Sequence, residues 1–513
     1  MLLLGIDLGT SSIKVSVVDA ANQNCIASAQ YPEAEVEIIA VQSGWAEQSP
    51  DQWWEHVQQA ILKCNAINSY DPKDIGAIGI AYQMHGLVLV DKEQDTLRNA
   101  IIWCDGRAVS IGDKAFNEIG EEDCLSHLLN SPGNFTASKL AWVKKEEPQI
   151  YERIDKILLP GDFIAMKLTG ESTTTMSALS EGVFWDFKEG AISKDVMTYF
   201  GFDEALIPLV QPLFSSHGNV KESVALRLSL TPGIPVTYKA GDQLNNAFSL
   251  NVLHPGEVAA TAGTSGVIYG VSDQLNYDQQ SRINSFAHVN HQTPSQRGEG
   301  AGGEAARIGV LLCINGAGIF NRWVRNIMGA QHSYDGLNTD ASHIAVGSDG
   351  LFMLPFGNGA ERMLGNNTIG AHIHGLDFNL HTPAHLVRAA QEGVAFAFRY
   401  GLDIMRENAM EPAIIRAGKA NMFLSDVFTQ SFVNATGVPV ELYQTDGSIG
   451  AALGAGVGAG IYKGEGEAFA NRKPLKLVAP SSTKTYEPLY QQWKALLEAQ
   501  MQTLESHLVL NKI

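Results

Sequence analysis

Asp7 stands at the end of an apolar run, Leu2–Ile6, two residues before the turn Gly9-Thr10-Ser11. Glycine lets a backbone approach an anion closely. Consecutive N–H groups at Gly9, Thr10 and Ser11 can cradle phosphate oxygens, with the two hydroxyls as further donors. A carboxylate beside such a turn suits Mg²⁺, which takes one or two carboxylates and fills its shell with water and phosphate oxygens. Asp7 is therefore the metal candidate. The same three residues also make an ordinary tight turn in a β-hairpin, and one copy does not separate the two readings. A second copy follows about half the chain later, Gly263-Thr264-Ser265-Gly266, again behind an apolar run. Two matching turns in two halves point to two loops facing one ATP-binding cleft. No GxxxxGK[ST] occurs, and no GxGxxG opens a βαβ unit, so the nucleotide is not held by either of those motifs.

Phosphorylating an alcohol needs a positioned carboxylate to take the hydroxyl proton as the new bond forms. Asp242, in Ala240-Gly241-Asp242-Gln243 just before the second half, suits that role. As the N-cap of a helix running into Leu244–Leu250 it would serve the fold, and the two roles are compatible. On the adenosine side, Ala417-Gly418-Lys419-Ala420-Asn421 follows a predicted strand and precedes a predicted helix, as a nucleotide-binding turn should.

The elements that must position these residues alternate along the chain. The pattern predicts strands at Leu2–Ile6, Ile13–Val17, Ile75–Ala81, Leu87–Val90, Ala100–Trp103, Pro235–Lys239, Glu257–Thr261, Ala413–Ala417 and Val438–Tyr443. Ser49-Pro50-Asp51 opens a helix with Trp54, Val57, Ile61 and Cys64 on one face. Thr382-Pro383 opens a long one, another ends at Gly437, and only a short helix is expected after residue 480. This is α/β architecture. With 513 residues the chain is long enough for two large domains, 1–250 and 251–513.

A net charge of -19 argues against a nucleic-acid surface. The five cysteines lack CxxC spacing, which predicts free thiols in a reducing compartment and no zinc site. Asp7 interrupts the first apolar run too early for a secretory signal, and no run reaches the ~20 apolar residues that span a bilayer. A cytoplasmic protein without a membrane anchor is expected.

Two phosphate-binding hairpins pinching a cleft are the plan of duplicated actin-like (ribonuclease H-like) ATPase domains. Within that group the chain resembles the FGGY carbohydrate kinases, and among them the xylulokinases. Asn134 to Trp142 is similar to the first family signature. Ala371 through Gly375-Leu376 to His385-Leu386, Ala389 and Glu392 is similar to the second, with Gln391 where an apolar residue is usual. Gly44-Trp45-Ala46-Glu47-Gln48, Trp53-Trp54 and Trp103-Cys104-Asp105-Gly106-Arg107 also match family landmarks, so the resemblance runs from residue 2 to about residue 460.

The resemblance implies phosphorylation of D-xylulose from ATP with Mg²⁺, with Asp242 as base and Asp7 beside the metal. It implies that Gln83-Met84-His85-Gly86 contacts the sugar. A Met-His pair in a turn is otherwise a packed Met and an ordinary loop His. Trp103 would stack on an apolar sugar face and Asp105 or Arg107 would fix hydroxyls, each with a structural reading beside it. Gly318 would pack on adenine, with Gly418 and Asn421 on the adenosine, and the Gly450–Gly460 helix would pack beneath the nucleotide. Sugar and ATP are the partners expected, with a homodimer as the family's assembly. The departures are Ala178 after Met176-Ser177, Ala360 and Met363 around Glu361-Arg362, Ala417 and Lys419 in the adenosine turn, and Lys239-Ala240 before Gly241.

Overall fold

The computed structural model describes residues 1–292, 306–329 and 331–510, with side chains to residue 504. Strand β1 (Leu2–Leu8) pairs antiparallel with β2 (Ile13–Asp19), and β2 with β3 (Cys25–Tyr31). On its other side β1 runs parallel to β4 (Ile75–Tyr82), which runs parallel to β5 (Val236–Gly241). The sheet order is β5-β4-β1-β2-β3.

The second half repeats the plan. β6 (Glu257–Ala262) forms a hairpin with β7 (Gly266–Ser272), beyond which lie β8 (Asn284–Ala287) and β9 (Ile308–Ile314). β10 (Ile414–Gly418) and β11 (Val440–Tyr443) are parallel to their inner neighbours, and β12 (Lys476–Val478) is an antiparallel edge. The order is β8-β9-β7-β6-β10-β11-β12. Its inner five strands match the first sheet in order and direction. Two mixed sheets, each opening with a Gly-Thr-Ser hairpin, give the duplicated α/β architecture the sequence predicts.

Helix α1 (Pro50–Asn65) starts at its signals: the Ser49 side chain accepts from Gln52 N, and Pro50 needs no donor at the first position. Its buried face is Trp53, Val57, Ile61 and Cys64; Trp54, expected there, lies at the edge, and Trp53 fills the core. β1 sends Leu2, Leu4, Ile6 and Leu8 into the same core. The two-residue period of a strand therefore puts Leu3, Gly5 and Asp7 on the opposite face. Two helices, α2 (Thr136–Glu146) and α3 (Met176–Glu181), press on the turn after β4.

Two helices exchange between the halves. α4 (Asp242–Ser249) follows β5 of the first sheet, yet Leu244, Ala247 and Phe248 join the core of Val258 and Ile268 in the second. Further along lie α5 (Gly318–Met328), α6 (Pro383–Glu407) and α7 (Asp426–Thr436), which stops at Gly437 in the left-handed region as expected. α8 (Gly447–Gly458) follows β11 but crosses the first sheet. There the glycines permit bare backbone contact: a Cβ on Gly5 would lie 1.8 Å from Ser448 O, and one on Gly79 would lie 2.0 Å from Ala451 O. The close helix–sheet packing expected of this segment is present, against the first sheet. Asn245 Nδ2 donates to Gly447 O at 2.8 Å, joining α4 to α8.

The C-terminal helix α9 (Thr483–Leu510) is longer than expected, 28 residues, because Tyr490, Trp493 and Leu497 give it a buried face. All five cysteines are free. No helix among the described residues is long and apolar enough to cross a membrane.

Candidate active site

The crossing of α4 and α8 brings two carboxylates together at the mouth of the first sheet. Asp7 lies on the α8 face of β1, and a Cβ on Gly447 would sit 2.2 Å from its Oδ2. Only a glycine at the first position of α8 leaves room for that carboxylate. Burial raises Asp7 to about 6, helped by Asp446 and opposed by Lys14. Lys14 is itself paired with Asp446 at 2.6 Å. Asp242 opens α4. Gly241 takes the N-cap position and Asp242 the first helical one, one residue on from the cap expected, where its carboxylate still accepts from first-turn N–H groups. Burial lifts Asp242 to about 7, Asp7 adds to the rise, and the Gln243 N–H opposes it.

Each hairpin keeps backbone donors free. Gly9 N–H closes its own turn on Ser12 O at 3.2 Å, so the free donors of the first hairpin are the N–H groups of Thr10 and Ser11. In the second, Gly263, Thr264 and Ser265 keep free N–H groups, while their carbonyls hold α5: Gly318 N donates to Gly263 O at 2.8 Å and Ile319 N to Thr264 O at 3.0 Å. Gly318 is obligatory, since a Cβ there would lie 2.0 Å from Gly263 O.

The turn after β4 carries Gln83-Met84-His85-Gly86. His85 has φ of +60, which a non-glycine residue holds only where its surroundings impose it. Lys139 Nζ donates to His85 O at 2.8 Å, and Phe135 meets the ring edge-on at 4.9 Å. The ring's Nδ1 lies 2.8 Å from Glu181 O, a carbonyl that can only accept. Nδ1 therefore carries the proton and Nε2 is left as an acceptor. Burial, with Lys139 adding to it, drops His85 to about 3, so the neutral ring persists at physiological pH. Glu181 is fully buried and held well above the ordinary carboxyl range, and Tyr82 donates to its Oε1 at 2.6 Å. Met84 is buried, with Cγ 2.7 Å from where a Gly241 Cβ would stand, which places the turn against Asp242.

Two of the residues expected on the sugar are used otherwise. Asp105 is 0% exposed and both its oxygens are engaged: Oδ2 accepts from Arg107 Nη2 at 2.7 Å and from the Ala46 N–H, and Oδ1 from the Arg107 backbone N–H and Nε, both at 2.9 Å. Arg107 is likewise stacked over Trp45 at 3.8 Å and paired with Glu47 at 2.7 Å. Both brace the chain around Trp45, with their charges spent on each other and on Glu47. Trp103 is half-exposed in the cleft, and its Nε1 donates to Thr10 Oγ1 at 3.0 Å.

Behind the second hairpin lies a cavity of about 340 Å³ lined by Gly263, Thr264, Gly318 and Asn421. These four predicted residues come together as one site. Gly418 ends β10 at the rim and does not line it. The wall also contains Asn338, Gln391 and Ser425, which the motifs did not single out as binding groups.

Comparison with known proteins accounts for this arrangement. The model of the FGGY family of carbohydrate kinases matches residues 2–249 with its N-terminal domain and 258–460 with its C-terminal domain. The chain belongs to that family. It is 28% identical to the xylulose kinase of Bacillus subtilis over 414 residues, 79% of this chain and 77% of the relative. To the xylulose kinase of Escherichia coli it is 28% identical over 456 residues, 88% of each. The crystal structure of a xylulose kinase from Brucella ovis superposes with a TM-score of 0.85 at 26% identity, covering 97% of this chain and 99% of that one. The chain is thus an ATP-dependent carbohydrate kinase with an actin-like ATPase fold.

Several FGGY departures acquire physical reasons. Gln391 is 1% exposed and links two walls of this cavity, donating to Asn338 Oδ1 and accepting from Ser425 Oγ, both at 2.8 Å. Lys239 replaces a glycine to make a buried pair with Asp162 at 2.6 Å. Glu361, retained between the departures Ala360 and Met363, accepts from Asn315 N at 3.0 Å and holds the loop before Gly318, and burial pushes it to about 7. For Mg²⁺, no cluster of three ligating side chains exists among the described residues. Asp7 and Asp242 nevertheless bring two carboxyls together, and Lys14, which opposes the rise at Asp7, is already paired with Asp446. That fits an ion held by Asp7 and otherwise by water and phosphate oxygens.

Proposed function

We propose that this kinase transfers the γ-phosphoryl group of ATP to the terminal hydroxyl of a ketopentose, D-xylulose. One observation carries the reading: Asp242 opens α4 beside Asp7, at the end of the strand that leads into the first hairpin, and against the turn that carries Met84 and His85. The Thr10, Ser11 and Gly263–Ser265 N–H groups hold the phosphates, and the base lies in the cavity by Gly318 and Asn421. Mg²⁺, held by Asp7, supplies charge neutralisation at the phosphates. Met84 packs on the carbon chain, and His85 Nε2 accepts a hydrogen bond from a sugar hydroxyl.

Asp242 accepts the proton of the attacking hydroxyl as the oxygen–phosphorus bond forms and ADP departs. General-base assistance of this kind is worth about 10²–10⁴-fold. A carboxylate with a pKa near neutrality is well matched to it. Sugar identity rests on the Gln83-Met84-His85-Gly86 resemblance and the xylulose kinases above.

The test is coupled ADP release with MgATP against D-xylulose, L-xylulose, D-ribulose, L-ribulose and glycerol. A strong preference for D-xylulose supports the assignment. Preference for another member keeps the kinase mechanism and moves specificity to the walls around His85. ATP binding with no turnover on any of them would overturn the ketopentose assignment.

A further inference from the structure

One buried side chain outside every assigned role ties the first hairpin to the sugar turn. Gln48 is 1% exposed; its Nε2 donates to Thr10 O at 2.8 Å, and its Oε1 accepts from Gln83 Nε2 at 3.1 Å and from Trp53 Nε1 at 3.0 Å. Gln83 Oε1 accepts from the Thr10 hydroxyl at 3.2 Å, and that hydroxyl accepts from Trp103 Nε1 at 3.0 Å. The bonds close a ring through Gln48, Thr10 and Gln83.

The direction of each bond is fixed by chemistry. An indole N–H only donates, so the Gln48 atom facing Trp53 is the carbonyl oxygen, and Nε2 faces Thr10 O. Gln83 must then give its own Nε2 to Gln48 and turn Oε1 to the Thr10 hydroxyl. Gln83 and Trp53 are each 2% exposed, so a broken link would leave a buried polar group unmatched, at a cost that water could not offset. The ring also has a rigid mount. Gln48 pairs with Ala100 in a two-stranded ribbon, Glu47–Gln48 against Ala100–Ile101, and Trp103 follows two residues on. One ribbon thus carries both arms that grip Thr10.

We propose that Gln48 is a positioning residue that couples occupancy of the sugar turn to the geometry of the first phosphate hairpin. This rests on the assignment of Thr10 and Ser11 to phosphate and of Met84 and His85 to sugar. A sugar seated on Met84 and His85 orders Gln83; Gln48 passes that order to the Thr10 carbonyl, and so to the peptide whose neighbouring N–H groups meet the phosphates. By reciprocity, nucleotide on the hairpin favours the sugar-binding form of the turn.

The experiment measures binding of a magnesium complex of a non-hydrolysable ATP analogue, with and without saturating D-xylulose, by calorimetry. It compares the wild type with Gln48→Glu and Gln48→Met. The first variant keeps an acceptor towards Trp53 and loses the donor to Thr10; the second loses every bond at similar volume. The wild type is expected to show each ligand tightening the other, and both variants to cut that factor by about 5–10-fold, with each ligand's affinity alone changed much less.

A factor preserved in both variants overturns the proposal, as does its absence in the wild type. So does a uniform loss of both affinities with the factor kept, the mark of a merely structural residue. Should Gln48→Met not fold, Gln48→Glu decides alone. His85→Ala, measured alongside, separates the two levels. If it leaves D-xylulose affinity unchanged, the sugar-turn assignment has failed. If it weakens D-xylulose while the Gln48 variants couple normally, only the coupling has failed.

Discussion

The two Gly-Thr-Ser hairpins sit at matching places in matching sheets, yet they are held by different means. The second is fixed by backbone: Gly263 O and Thr264 O accept from Gly318 N and Ile319 N, with no side chain between. The first also takes a backbone bond, Val36 N to Ser11 O at 2.8 Å, but its Thr10 is gripped by side chains, Gln48 and Trp103, with Gln83 on its hydroxyl. Backbone bonds survive most substitutions and hold a loop in one form. Side-chain bonds can be re-aimed by whatever moves their owners, and here one owner belongs to the sugar turn. On the assignments proposed above, a duplicated unit has diverged into a fixed clamp for the nucleotide and a clamp that can respond to sugar.

The largest effect is expected where both clamps converge, at Asp242. Asp242→Asn keeps the shape and removes the base, so kcat should fall by at least about 10²-fold while the nucleotide affinity stays close to wild type. Burial and Asp7 raise this carboxyl to about 7, so wild-type transfer should decline as pH drops below that value. Stability gives an independent check. The carboxyl ionises near 3.8 when unfolded and near 7 when folded. The folded chain therefore loses stability as pH rises through that window, and Asp242→Asn should melt higher than wild type at pH 8 but not at pH 3. Near-normal turnover in this variant would remove Asp242 from the chemistry, and an unchanged melting temperature at pH 8 would remove the charge strain.

Breaking the fixed clamp comes next. In Gly318→Ala the new methyl carbon would fall 2.0 Å from Gly263 O, an overlap with backbone that no rotamer relieves. The second hairpin must shift, and the KM for ATP should rise by about 10-fold or more, as for loss of one to two good hydrogen bonds. The KM for sugar should move little, because no side chain carries the shift across the cleft. Equal increases in both would show that the second hairpin also communicates with the sugar turn, and the contrast between the clamps would fall.

Much of this was legible in the sequence. The paired turns and Asp7 stand where local pattern puts them, the helix starting at Ser49 where capping chemistry does, and Asp242 one residue inside its helix from the cap expected. What escaped depends on contacts between distant segments. Nothing local distinguishes Trp53 from Trp54 as the core residue. Asp105 looks like a free carboxylate until the fold sets Arg107 and the Ala46 N–H around it. The exchange of α4 and α8 between the sheets is written only in the glycines that face Ser448 O and Ala451 O, whose partners lie hundreds of residues away. Gln391 was visible as a departure, but its purpose required Asn338 and Ser425 to arrive from either side.

The smallest expected effect tests the responsive clamp at the end opposite Gln48. Thr10→Val preserves shape and removes the hydroxyl that donates to Gln83 and accepts from Trp103. The backbone N–H groups of Thr10 and Ser11 remain, so phosphate binding itself should survive. What is lost is the link between hairpin and turn. Because Gln83 is buried, its released Oε1 has no solvent to turn to, and the turn should loosen along with the hairpin. The KM for sugar and the KM for ATP should therefore both rise, by about 3–10-fold each, with kcat less affected. That joint response from a residue on the phosphate side is the signature that separates the first hairpin from the second. A rise confined to ATP would make the two hairpins equivalent after all, each serving only the nucleotide.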